Sequence, residues 1–164
     1  MKTLLLLRHA KSSWKDDSLA DHDRPLNKRG RKTAPVMGHL IRDEGLVPDL
    51  IVSSTARRAR ETAEKVAKAC QYGREIELTE ELYLATAGEI LHQAQCRPDD
   101  SAARVLLIGH NPGVEDVVNV LSGRREPFPT AALAVFELDI ESWCELELGI
   151  PAKLVHFWRP RELE

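Results

Sequence analysis

An arginine and a histidine stand together at Arg8-His9, a second histidine follows a glycine at Gly109-His110, and two arginines, Arg57-Arg58, follow Ser53-Ser54-Thr55. These residue types suit phosphoryl chemistry. A guanidinium is a planar fork that matches two phosphate oxygens and stays charged at any working pH. A neutral imidazole can accept a phosphoryl group and pass it to water. Arginines beside His9 lower its pKa, because a second positive charge is disfavoured there, and this keeps the attacking nitrogen unprotonated near neutral pH. The other ring nitrogen then needs an acceptor to fix the tautomer. His110 is placed to hold an equatorial oxygen and balance transition-state charge. Phosphoryl transfer depends mainly on positioning and electrostatics, so no metal is needed if the cations come from side chains.

These residues are far apart in sequence, so the elements around them must bring them together. Leu4-Leu5-Leu6-Leu7 runs straight into Arg8, as expected of a strand buried on both faces. Residues 104–109 give the same signal and deliver His110. Residues 49–53 form a shorter strand, after which Ser54 or Thr55 is expected to cap a helix reaching about residue 69. That helix carries Ala56, Ala59, Ala63, Val66, Ala67 and Cys70 as its apolar stripe. Arg57 and Arg58 fall in its first turn, a poor place for cations unless something negative lies nearby. In a parallel sheet the three strand ends face one side, where open α/β sheets place their ligands.

The remaining pattern supports that sheet. Residues 11–28 read as a polar loop walling the site. A helix is expected over residues 28–44, either starting near Thr33 or bending at Pro35, with Gly45 as its stop. Residues 75–78 form a short strand. Thr86 and Glu89 form a capping box opening a helix to about residue 95, and a further helix ends at Ser122-Gly123. Residues 132–138 and 152–158 form two more strands. Strands alternating with helices predict an α/β chain with a mainly parallel sheet, as one domain over residues 1–164.

Composition narrows the function. The chain has 164 residues, 43% hydrophobic and 30% charged, with net charge −3. This is an ordinary globular balance with no basic block, which argues against nucleic acid as a partner. The first apolar run stops at Arg8, short of a signal core of about 7–15 residues, and no run approaches the roughly 20 residues of a membrane span. Cys70, Cys96 and Cys144 are widely spaced and odd in number, as expected of reduced thiols in a cytoplasmic protein. Asp21, His22 and Asp23 lack a matching fourth ligand and read as loop rather than metal site. Arg57 and Arg60 read as solvated charges, and Trp14, Trp143 and Trp158 as packing residues.

Leu7-Arg8-His9-Ala10-Lys11-Ser12 resembles the RHG/RHA signature of the histidine phosphatase superfamily. Residues 53–63 resemble its S-S-x-x-x-R-A-x-x-T-A segment, which places the second phosphate arginine on Arg58 rather than Arg57. Residues 105–112 resemble its second histidine motif. Asp23-Arg24-Pro25-Leu26 with Arg29-Gly30, Glu81-Leu82-Tyr83 and Arg159-Pro160-Arg161 are similar to the small SixA-like phosphohistidine phosphatase branch, as are Ala10 and Lys11. The resemblance implies a three-layer α/β/α fold of the phosphoglycerate mutase type and a covalent phosphohistidine on His9. It implies cofactor-free hydrolysis, with Arg8, Arg58, His110 and Ser12 on the phosphate and Glu81 as the proton donor by position. The implied substrate is a phosphorylated protein carrying phosphohistidine. The alternatives are a broad phosphomonoesterase for small phosphorylated metabolites and a phosphate-binding module without turnover. The small size implies an open site without a lid.

Overall fold

Each leucine of Leu4 to Leu7 is wholly buried, and alternate side chains serve opposite layers. In the computed structural model, which describes residues 1–163, this segment is strand β1 (Lys2–Arg8). Then follow α1 (Lys28–Asp43), β2 (Leu50–Ser54), α2 (Arg57–Cys70), β3 (Glu77–Thr79), α3 (Ala87–Cys96), β4 (Arg104–Gly109), α4 (Gly113–Ser122), β5 (Leu133–Leu138) and β6 (Ala152–Trp158). Leu4 and Leu6 pack with Val52, Val105 and Leu107 against Ile90 and Leu91 of α3 and Val114 and Val117 of α4. Leu5 and Leu7 pack with Ile51, Leu106 and Ile108 against Ala34 and Met37 of α1 and Ala59, Ala63 and Val66 of α2. The result is three layers, with the sheet buried on both faces.

The sheet order is β3-β2-β4-β1-β5-β6. Strands β1 to β4 are mutually parallel. Strand β5 runs antiparallel to β1, and β6 antiparallel to β5. The ends of β2, β4 and β1 are therefore neighbours, and Arg8 stands opposite Gly109 in register. Hydrophobic runs report burial but not strand direction, which is why the reversed β5 was not visible in the sequence.

Of two helix starts, one differs from expectation. Helix α1 begins at Lys28, as expected for a helix that keeps Pro35 inside it, and Asn27 caps it by accepting the Gly30 N–H at 2.9 Å. The Asn27 N–H in turn donates to the Lys11 carbonyl at 3.0 Å. Pro35 lies inside the helix, where it leaves the Arg31 carbonyl without its helical donor. A β-carbon at Gly30 would sit 2.1 Å from the Lys11 oxygen, so only glycine lets α1 approach the loop after β1 so closely. Helix α2 starts at Arg57 with Ala56 as an uncapped N-terminal residue. Ser54 is still in β2, paired with Thr79, and its Oγ accepts the Ala56 N–H at 3.2 Å. The Thr86–Glu89 capping box forms as expected. Among the described residues no helix is long and apolar enough to cross a membrane.

Candidate active site

The strand order brings the two histidines together. The His9 N–H donates to the Gly109 carbonyl at 3.1 Å, fastening the end of β1 to the end of β4. The imidazoles of His9 and His110 lie 5.1 Å apart between centroids. Arg58 arrives from the first turn of α2. Thr62, one turn on, donates to the Arg58 carbonyl at 2.7 Å and accepts the Ala10 N–H at 3.0 Å, which locks α2 to the backbone just past His9. Arg8, His9, Arg58 and His110 all line one cavity of about 340 Å³, with Ser12, Asp21 and Arg24 among its other walls.

The hydrogen bonds of the imidazoles assign their protons. His9 Nδ1 lies 2.7 Å from the Ala10 carbonyl. A carbonyl only accepts, so Nδ1 carries the proton and Nε2 keeps its lone pair. His110 Nε2 is 2.8 Å from Ser54 Oγ. Ser54 is wholly buried, and among the described residues Nε2 is the only acceptor within reach of its hydroxyl, so that proton is directed at Nε2, leaving the hydrogen of His110 on Nδ1.

Both imidazoles are pushed down to about 3. For His9 the main cause is burial, with Arg58, Arg8 and Arg24 adding to it against the Ala10 bond. For His110 it is again burial, then His9 and Arg58. The direction agrees with expectation, but desolvation outweighs the neighbouring arginines. The Arg8 guanidinium is also lowered, by burial first.

Three buried side-chain nitrogens have no hydrogen-bond partner among the described residues: Arg8 Nε, Arg58 Nε and His110 Nδ1. Every one of them belongs to this cluster. Buried donors are normally satisfied, and unsatisfied ones concentrate where a ligand completes the set. The three residues line the pocket that holds His9, and donors of these types suit the oxygens of a phosphoryl group.

The negative partner implied by a cation in the first turn of α2 is Asp21. Arg58 donates to the Asp21 carbonyl at 2.8 Å and to its Oδ2 at 3.0 Å. Oδ2 also accepts from the Tyr83 hydroxyl at 2.5 Å, and Oδ1 from Arg24 Nε at 3.2 Å. Partial burial pushes the Asp21 carboxyl up, but the Tyr83 hydroxyl and the Arg58 and Arg24 guanidiniums hold it at about 2. Arg57, in contrast, faces Glu61 at 3.5 Å on the surface. Ser12 is buried in the pocket wall, where its Oγ accepts from Arg24 at 2.9 Å and keeps its own proton available.

The structure does not bring Glu81 into this cluster. Its Oε2 accepts from Gln93 at 2.6 Å and lies 3.9 Å from Arg97, and it lines a separate cavity with His92 and Gln93. Glu81 lies in a short helical turn whose cap is Thr79, and the turn directs its carboxylate at α3. Its neighbour Tyr83 points the other way, edge-on to His110 with centroids 5.4 Å apart. Asp21 and Arg24 in the pocket wall, and Tyr83 behind it, hold the site together and were not selected by sequence reasoning. The signals present were the charge-rich loop after β1 and the Asp23-Arg24-Pro25-Leu26 segment. Trp14 is also corrected: it is 75% exposed at the pocket mouth, with the Arg24 guanidinium 3.5 Å over its ring. Trp143 is wholly buried, as expected.

A family model for the histidine phosphatase superfamily (branch 1) matches residues 4–100. The chain belongs to that superfamily, and its fold is phosphoglycerate mutase-like. An uncharacterised protein of Mycobacterium tuberculosis is 33% identical over 168 residues, covering 94% of this chain and 100% of its own. An uncharacterised chloroplast protein of Arabidopsis thaliana is 34% identical over 154 residues, covering 88% and 70%. Among solved structures, the protein designated phosphohistidine phosphatase SixA in Agrobacterium tumefaciens superimposes with a TM-score of 0.83 at 31% identity, covering 97% of this chain and 98% of its own.

Proposed function

We propose that this protein is a phosphohistidine phosphatase that works through a phosphoryl group carried on His9. One observation carries the reading: a neutral imidazole with its lone pair on Nε2 stands in a pocket with Arg8, Arg58 and His110, each of which has a buried nitrogen without a partner. The likeness to the Agrobacterium SixA supports the substrate class.

In the first step the Nε2 lone pair of His9 forms a bond to phosphorus. The bond from phosphorus to the leaving group breaks, and its electron pair stays on the leaving atom. Arg8, Arg58 and His110 hold the equatorial oxygens as charge redistributes, and Ser12 donates to one of them. In the second step water attacks the phosphorus and loses a proton to solvent. The N–P bond returns its pair to Nε2, and inorganic phosphate leaves. Side chains supply the positive charge, so the reaction takes no metal or cofactor.

The leaving group favours phosphohistidine. Asp21 is the only carboxylate among the described residues lining the pocket, and with its carboxyl held at about 2 it is ionised at neutral pH. A site without a protonated acid handles an alkoxide leaving group poorly. An imidazole whose other ring nitrogen carries a proton leaves with the N–P electron pair as a neutral ring and needs no acid. The test offers a phosphohistidine protein and a panel of sugar and nucleotide phosphates to the enzyme together, with and without chelator. Preferential loss of phosphohistidine, unchanged by chelator, is expected. Preference for the small phosphates would replace this reading with a broad phosphomonoesterase, and phosphate binding without turnover would leave a binding module.

A further inference from the structure

The catalytic pocket adjoins a larger cavity of about 640 Å³, and Lys11 and Thr130 line both. The second cavity has an excess of cations, with Lys11, Arg29, Arg159 and Arg161 against the single carboxylate of Glu162 in its walls, although the chain as a whole carries −3. A local patch opposite in sign to the net charge steers an acidic group to one place. The chain's own carboxylates already show what this patch accepts: Arg159 holds Glu162 at 3.0 Å and has Glu126 at 3.8 Å. Pro127, Pro129 and Pro160 give it stiff walls.

The mouth of the catalytic pocket carries a second signal. Trp14 is 75% exposed and Leu84 is 57% exposed, and both line that pocket. Neither is loose. Arg24, itself buried, stacks on the Trp14 ring, and Leu84 holds a φ of 51°, a left-handed conformation that leucine rarely adopts. A phosphoryl group seated in the pocket makes no use of an exposed indole and leucine. A protein surface does, and tryptophan and arginine are the residues that dominate such contacts.

Resting on the phosphohistidine reading, we propose that the cationic cavity and the Trp14–Leu84 lip together form a docking surface for a protein substrate whose phosphohistidine is flanked by acidic side chains. The flanking carboxylates enter the cavity beside Lys11 and Arg161, and apolar side chains of the partner cover Trp14 and Leu84.

The test uses the full chain and two phosphohistidine peptides of equal length, one flanked by glutamates and the other by glutamines. The ratio of their kcat/KM values divides out any effect on the chemistry. The glutamate peptide should be used about tenfold better at low salt, with the difference in KM. Arg161→Glu, at an exposed position, should bring the ratio to about one or below, as should high salt. Trp14→Ala should raise KM for both peptides by about fivefold. Equal use of the two peptides by the unaltered protein, or a ratio that Arg161→Glu leaves unchanged, overturns the docking proposal. Hydrolysis of neither peptide, with small phosphates still consumed, overturns the phosphohistidine reading beneath it.

Discussion

The pocket at the ends of β1 and β4 and the corner where β3 meets α3 both hold charged residues just past a strand, yet they are built differently. In the pocket, His9, Arg58 and His110 are buried, the two imidazoles are held far below their usual range, and buried nitrogens are left without partners. At the corner, Glu81 has a 68% exposed side chain and spends its carboxylate on Gln93 and Arg97. Burial with unmet hydrogen-bonding capacity marks a place built for a ligand, whereas an exposed carboxylate with satisfied partners marks ordinary surface. A strand-end position alone does not separate the two.

Substitutions sharpen that contrast. His9→Ala should lower phosphatase turnover by at least about 10³-fold, since the bond-forming nitrogen is gone. Arg58→Ala should cost about 10²–10³-fold in kcat through lost charge stabilisation, measured in steady state. Asp21→Asn leaves the buried Arg58 without its counter-charge and should lower unfolding stability by about 1–3 kcal/mol in a denaturant titration. Phosphate should restore more stability to this variant than to the unaltered protein. Glu81→Gln should change turnover less than about threefold for good and poor leaving groups alike, as is usual for an exposed carboxylate away from the chemistry. A larger loss on poor leaving groups would return Glu81 to the site and collapse the contrast.

The two regions should also differ in pH response. An imidazole held at about 3 in the folded chain but near 6.5 when unfolded binds its proton more readily in the unfolded state. Its effect is absent above pH 6.5. As pH falls from about 6.5 towards 3 the native state loses stability, by up to about 1.4 kcal/mol per pH unit for each histidine. Denaturant midpoints across that window should fall less steeply for His9→Gln and for His110→Gln. Equal slopes would mean that these imidazoles are not held neutral by burial.

Much of this was legible from residue types and runs. The leucines before Arg8 and the apolar run before His110 report buried strands, and two such ends in one parallel sheet force the histidines onto one side. The resemblance of the Ser53-to-Ala63 segment singled out Arg58 over Arg57, and the fold puts Arg58 in the pocket wall and Arg57 on the surface beside Glu61. Glu81 was misplaced, since the direction of a side chain in a three-residue turn depends on tertiary partners such as Gln93, not on local pattern. Asp21 was passed over for a related reason: in the sequence it is one acid in a polar loop, and only the fold shows it meeting Arg24, Arg58 and Tyr83. Pro35 left two starts open for α1, and the fold decides for Lys28 because the Asn27 cap and the Lys11 contact outweigh the lost hydrogen bond.

The most direct measurement is to trap the phosphorylated protein during turnover and locate the phosphate. A phosphoryl group on Nε2 of His9, lost in acid, stable in base and discharged by water at the rate of turnover, is the predicted result. A phosphate on any other residue, or undiminished turnover by His9→Ala, would contradict the account.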